Sequence, residues 1–244
     1  MRSPSLRAVR RDLRAEADPE DAVHLQRFFK TGTGQYGEGD RFLGVRVPAL
    51  RRLVRAHRDL PIADTLSLLQ SKWHEERLLA LLLLIAHYRR ADGSSKQAIH
   101  DAYLANTRYI NNWDLVDASA EHIVGAHHDP NDTALLDRLC ASASVWERRI
   151  AMLATFHWIK RREYASALRI AERLLNDRHD LIHKAVGWML REIGNRDRDT
   201  EEAFLRVHCR TMPRTMLRYA IEKFPEADRR RYLAGQPMPP SRER

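Results

Sequence analysis

The sequence predicts an all-α protein, a superhelical solenoid of about 12 helices. Three observations predict it. Apolar residues recur at spacings of three and four along nearly the whole chain. Strand patterns are almost absent. A helix pair recurs about every 36 residues, and one pair cannot bury both of its apolar faces, so each stacks on the next.

Taken in order, residues 1–18 are expected to form a flexible N-terminal arm. Residues 19–225 are expected to form one repeat domain, and 226–244 a basic, partly disordered tail ending in "GQPMPPSRER". Helical patterns fall roughly at 19–30, 48–58, 62–71, 74–90, 95–106 and 112–127. They continue at 131–142, 145–161, 163–176, 179–194, 199–210 and 213–223. The segment "TGTGQYGEGDRFLGVRVP", with five glycines, breaks the series at 31–48 and is read as a loop or a small hairpin.

The repeat is visible residue by residue. "HEERLLALLLLIAHY" (74–88) matches "VWERRIAMLATFHWI" (145–159) at an offset of 71. Glu76, Arg77 and Ala80 correspond to Glu147, Arg148 and Ala151. "IHKAVGWMLREIG" follows 36 residues after the second copy, with Gly187 in the place of Ala151. If the basic and aromatic starts of these helices line the concave side, the result is a positively charged groove.

Charge agrees with such a groove. Lys and Arg number 42 against 33 Asp and Glu, a formal net charge of +9. An excess of that size favours a polyanion, nucleic acid first and an anionic membrane second. Only two cysteines occur, Cys140 and Cys209, so no disulfide framework is implied and a cytoplasmic protein is expected. No apolar stretch follows the basic N-terminal residues, so no signal peptide is read there. The longest apolar run, "LLALLLLIA" (78–86), is half of what a membrane span needs and is read as a fully buried helix.

The stretch "NNWDLVD" (111–117) carries the chemistry. Asn111 and Asn112 suit a helix start before Trp113. Trp113 and Asp117 are one turn apart and share a face. Asp114 points elsewhere and is expected to stabilise the first turn through the helix dipole. Val116, Ala120, Ile123 and Val124 form the expected buried stripe. Arg149 in "WERRIA" and Trp188 in "KAVGWMLRE" occupy similar places in the next two repeats, so four residues are expected to face one stretch of groove.

Those three motifs in a helical-repeat chain resemble the AlkD-type DNA alkylation repair glycosylases. "YGEGDRFLGVRVPALRRL" (36–53) is similar to the N-terminal signature of bacterial members of that superfamily. The resemblance covers roughly residues 20–225. It implies a right-handed superhelix of HEAT-like repeats with double-stranded DNA in the concave face. It implies hydrolysis of the N-glycosidic bond of cationic alkylpurines such as N3-methyladenine and N7-methylguanine, with no cofactor and no metal. It places the catalytic aspartate on Asp117, the two sugar-packing tryptophans on Trp113 and Trp188, and the phosphate-contacting arginine on Arg149. Arg148, Lys184, Arg41 and Arg46 are further candidate phosphate contacts. A monomer is expected, associated with the nucleoid when on DNA. The glycine-rich 31–44 segment is longer than in the best-known members, and some homologues bind DNA without known excision. A non-catalytic module binding damaged or branched DNA is therefore the alternative, and a scaffold that binds no DNA the third.

Other clusters carry weaker signals. His179 and His183 have metal-ligand spacing but lack HExxH and a Cys pair, so they are read as structural or solvent-facing. "GTGQYGEGD" lacks the preceding strand and the Gly-Lys-Ser/Thr of a nucleotide loop. Trp158 is read as packing, Trp146 as a possible support of the groove, and Glu75 and Glu76 as a solvated helix start.

Overall fold

The computed structural model describes residues 5–237. Residues 1–4 of the expected arm and 238–244 of the expected tail lie outside the described residues. The described chain is helical, with no strand; Arg41 and Trp73 alone form an isolated bridge. No described helix is long and apolar enough to cross a membrane.

The chain divides into two compact units at Ser119 and Ala120. The first contains α1 (Leu6–Ala15), α2 (Pro19–Phe28), α3 (Val47–Ala56), α4 (Ile62–Leu69), α5 (His74–Arg90), α6 (Gly93–Ala105) and the body of α7 (Trp113–Ala120). Its core is α5. That helix packs on α3, α4 and α6, and "LLALLLLIA" is buried except at Leu82 and Ala86. A helix buried nearly all round must be apolar nearly all round, which is what the sequence shows.

Residues 6–15 correct the expectation of a flexible arm. Ser5 caps α1 by accepting the Ala8 N–H at 3.3 Å, and Val9 and Leu13 are fully buried against α3 and α4. Leu6, Val9 and Leu13 have helical spacing, and arginines occupy the positions between them. At the other end α15 (Glu226–Leu233) is also ordered, with Tyr232 buried against Phe224.

The glycine-rich segment is a loop rather than a hairpin. Gly44 is required there: its φ is +84°, and a Cβ would lie 1.9 Å from the Asp18 carbonyl oxygen. Glu75 and Glu76 correct a second expectation. They start α5 but are 2% and 1% exposed. Glu75 accepts the backbone N–H groups of Leu43, Gly44 and Val45 at 2.8–3.2 Å, and Glu76 accepts from Arg10 at 3.0 Å. Buried carboxylates survive only with partners. These partners come from 30 to 66 residues away, beyond the reach of local pattern.

The second unit contains α8 (Ala134–Cys140), α9 (Val145–Ala154), α10 (Phe156–Ile159), α11 (Ala165–Arg173), α12 (Asp180–Gly194), α13 (Arg198–His208), α14 (Arg214–Ala220) and α15. A π-helical turn, Glu121–Gly125, opens it and packs on α9 and α10. α12 is its centre, packed on α9, α13 and α14. Both cysteines are free and buried.

The small residue at the repeat's matched position has a structural cause. Ala80 and Ala151 are fully buried, and at Gly187 a Cβ would lie 2.4 Å from the Met216 carbonyl oxygen. We expect Gly187→Ala to lower unfolding free energy by about 1–2 kcal/mol. Overpacking against backbone costs roughly 1–3 kcal/mol, which outweighs the gain of about 1 kcal/mol in helix propensity. A shift of the urea midpoint to lower concentration checks it; no shift means that α14 gives way.

Candidate functional site

The first unit places Trp113 at the start of α7 and Asp117 one turn on, both half-buried. Asn112 makes the turn: its Oδ1 accepts the Trp113 N–H at 2.8 Å, and its Nδ2 donates to Asp40 at 3.0 Å. The Trp113 indole stacks on Phe29 with centroids 5.2 Å apart and planes at 23°, and it meets the edge of Phe28 at 5.9 Å. Val116, Ala120, Ile123 and Val124 are fully buried, as the expected stripe requires, and Leu115 is buried as well.

Below the indole lies a buried polar network that the sequence did not reveal. His74 donates from Nε2 to Asp114 at 2.8 Å and from Nδ1 to Asp40 at 3.1 Å. Asp40 also accepts from Arg77 at 2.5 Å. The His74 ring lies against Phe42 (4.6 Å) and Phe29 (5.0 Å). Burial disfavours the His74 cation, but the Asp114 charge and bond, with the Asp40 bond, outweigh it and raise its pKa to about 9. Burial likewise opposes ionisation of Asp40. The His74 bond, the Arg77 charge and the Asn112 bond outweigh it and hold that carboxyl below its ordinary range. Asp114 therefore does more than complement the helix dipole: it ties the first turn of α7 to α5.

The two acids of "WDLVD" thus have different surroundings. Asp114 is bound to an imidazolium, while Asp117 stands on the same face as the indole. Asp117 lies close enough to the buried Tyr103 phenol to raise its pKa, behind the larger effect of burial and against the Ser119 bond. Tyr103 and Ser119 are joined at 2.9 Å, which packs α6 under this turn of α7.

In the second unit, Trp188 is half-buried on α12. Its Nε1 donates to Glu192 at 3.3 Å, and its ring centroid is 5.9 Å from Phe156. Arg149 is 4% exposed, and its Nη1 donates to the Leu181 carbonyl at 2.5 Å. Lys184 is partly exposed and pairs with Asp180 at 2.7 Å. In the first unit Arg41 and Arg46 are exposed, and Arg46 is paired with Asp21.

Arg148 has a structural task. Its Nε donates to Asp177 at 2.6 Å and its Nη1 to the Ser142 carbonyl at 2.9 Å. Its repeat counterpart Arg77 does the same, donating to Asp40 at 2.5 Å and to the Ser71 carbonyl at 3.1 Å. In both repeats a serine hydroxyl at that turn also accepts a backbone N–H, from Trp73 at 3.1 Å and from Ser144 at 3.0 Å. The matched arginines are both loop anchors, so Arg148, a candidate phosphate contact, also has a structural task.

The remaining clusters serve the scaffold. His179 Nδ1 accepts the Leu181 N–H at 3.2 Å at the start of α12, and His183 donates to the Asp177 carbonyl at 2.5 Å. Trp158 is 3% exposed and packs in the core. Phe28, Phe29, His74 and Asp40 are what sequence reasoning missed. The signal available was His74-Glu75 directly before the matched Glu76-Arg77 pair, where the second repeat has the apolar Val145-Trp146.

No curated protein is matched by the chain. A solved structure, "Predicted DNA alkylation repair enzyme from Enterococcus faecalis", shares the fold with a TM-score of 0.67 and 16% identity, over 86% of this chain and 98% of that one. The family model of the DNA alkylation repair enzymes matches residues 9–224. The match runs from α1 to the edge of α15 and takes in Trp113, Asp117, Arg149 and Trp188. The chain therefore belongs to the DNA alkylation repair enzyme family, and its role lies in DNA repair.

Proposed function

We propose that this protein is a DNA glycosylase that releases cationic N3- and N7-alkylated purines from duplex DNA, with Asp117 as the catalytic carboxylate. The observation that carries the reading is the placement of Asp117 beside a fixed indole at the start of α7. Asp117 is partly exposed one helical turn from Trp113, whose ring Phe29 holds in place, and Asp114 is bound to His74.

Alkylation at N3 or N7 makes the purine cationic, so the base departs as a neutral molecule and needs little acid help. The sugar left behind carries oxocarbenium character. A carboxylate a few ångströms away stabilises that charge, more strongly where water is partly excluded. The same group can orient the attacking water. An indole face adds cation–π attraction of about 0.5–2 kcal/mol. Trp113 is suited to this because its ring is already fixed by Phe29 and loses little freedom on binding. Trp188, held by Glu192 and Phe156, is proposed as the second aromatic contact with the sugar. Arg41, Arg46 and Lys184 reach solvent and are proposed to hold phosphates. Arg149 keeps that role by its resemblance, although it is buried.

The test is release of free 7-methylguanine from methylated duplex DNA without heating, together with duplex binding at several salt concentrations. Release by the wild-type protein supports the reading. Tight binding without release overturns it in favour of the non-catalytic DNA-binding alternative. Lys184→Ala is expected to flatten the slope of log affinity against log salt by about 0.9, the value for one phosphate contact. An unchanged slope removes Lys184 from the phosphate site.

A further inference from the structure

α1 carries four arginines, Arg7, Arg10, Arg11 and Arg14, at the spacing i, i+3, i+4 and i+7. That spacing puts all four on one face, within about 100° of helix rotation. Like charges so placed repel one another and weaken a helix. Two nearby acids answer them in part. Buried Glu76 accepts from Arg10 at 3.0 Å and lies 3.7 Å from Arg14, and Asp12 pairs with Arg11 at 2.8 Å. Arg7, Arg11 and Arg14 are exposed, and Arg7 has no ion pair among the described residues. With Leu6, the four line a surface concavity of about 610 Å³. The protein thus keeps a row of cations in repulsive register, open to solvent and only partly neutralised.

The row has the dimensions of a phosphate array. Seven residues at 1.5 Å per residue span about 10 Å. A DNA strand carries one phosphate about every 3.4 Å of axis, so the row matches roughly three phosphates. Guanidinium forks take phosphate oxygens two at a time. An anionic membrane fits less well. A helix that lies on a bilayer buries its apolar face in it, and here that face, Val9 and Leu13, is buried against α3 and α4.

The row is also set apart from the indole. His74 and Glu76 are two positions apart on α5, about 200° of rotation, and point to nearly opposite sides. His74 faces Asp114 and Phe29, beneath Trp113, while Glu76 faces Arg10 and Arg14.

We propose that Arg7, Arg10, Arg11 and Arg14 form a second phosphate-binding site, which holds DNA backbone away from the lesion. The inference rests on the DNA-binding part of the proposed function and not on base release.

Binding of a fluorescent duplex to the full-length protein at several salt concentrations tests it. Arg7→Ala/Arg11→Ala leaves the two arginines at Glu76 in place. Its slope of log affinity against log salt should be shallower than that of the wild type by up to about 1.8, or about 0.9 per phosphate contact. Its melting temperature should match the wild type, because both side chains are exposed. Arg7→Lys/Arg11→Lys keeps the charge and should keep the slope. Arg58→Ala/Arg89→Ala removes the same charge elsewhere on this unit and should leave the slope unchanged. With protein in excess and all DNA bound, Arg7→Ala/Arg11→Ala should release base as fast as the wild type.

A wild-type slope in Arg7→Ala/Arg11→Ala overturns the proposal. So does an equal fall in Arg58→Ala/Arg89→Ala, which would mark a diffuse field rather than a site. Slower release from the bound state overturns the separation of the row from the lesion. Binding to phosphatidylserine vesicles that Arg7→Ala/Arg11→Ala abolishes, with its DNA salt slope unchanged, assigns the row to a membrane and overturns it as well. If the wild type binds DNA but releases no base, the glycosylase reading falls, and the α1 site is still decided by the salt slope. If the wild type binds no DNA, both fall.

Discussion

Asp117→Asn is expected to bind methylated duplex DNA as the wild type does and to release 7-methylguanine about two to four powers of ten more slowly. The change keeps the size of the side chain and removes its charge, so it isolates electrostatics from shape. Binding is driven by cations on phosphates, and no cation is lost. The reaction differs, because positive charge grows on the sugar only on the way to the transition state. A group that stabilises only that charge affects the rate and not the affinity. The corresponding change at Asp114 should read differently. Asp114→Asn removes the counter-charge of His74 and should appear first as lost stability. Equal rates for wild type and Asp117→Asn would remove Asp117 from the chemistry.

Asp40→Ala is expected to destabilise the protein by about 3–5 kcal/mol, the usual cost of removing one partner from a buried charged cluster. Asp40 accepts from His74, Arg77 and Asn112, and these three are 2%, 4% and 0% exposed. Without it a guanidinium and an imidazolium remain in the interior with fewer acceptors. The measurement is the urea unfolding curve, read with hydrogen exchange at residues 31–44 and 113–117. Both segments should exchange faster, since Asp40 belongs to the first and Asn112 leads into the second. A loss below about 1 kcal/mol would mean that the cluster rearranges around water.

The same cluster sets a pH dependence. The folded pKa of His74 is raised from 6.5 to about 9, so the folded state holds this proton more tightly than the unfolded chain does. The stabilisation is fully present below pH 6.5 and is lost as pH rises through about 9. Replacing His74 by Gln should remove that alkaline loss along with the charge.

Much of the fold was legible because helix period and helix repeat are local properties. The three helices matched in sequence, 74–88, 145–159 and from 182, lie in α5, in α9 and α10, and in α12. The small residues aligned among them, Ala80, Ala151 and Gly187, are all buried. Reading stopped where partners came from far along the chain. Glu75 and Glu76 look like solvated first-turn acids, and only loop amides and an α1 arginine make them interior residues. Arg148 looks like a groove cation, and only its contacts, matched by those of its counterpart Arg77, show that it also anchors a loop. Phe28 and Phe29 are adjacent in sequence, yet one is buried under the indole and the other left on the surface.

By itself the sequence determined that the chain is helical, where its helices run, and that a tryptophan and an aspartate share one face at the start of α7. These follow from residue spacing on a 3.6-residue helix. Only the tertiary structure decided that Asp114, one of the two acids beside that tryptophan, is bound to a buried imidazolium. Neutralising a carboxylate depends on which cation lies within hydrogen-bond reach, and His74 is 40 residues from Asp114 in sequence but 2.8 Å away in space.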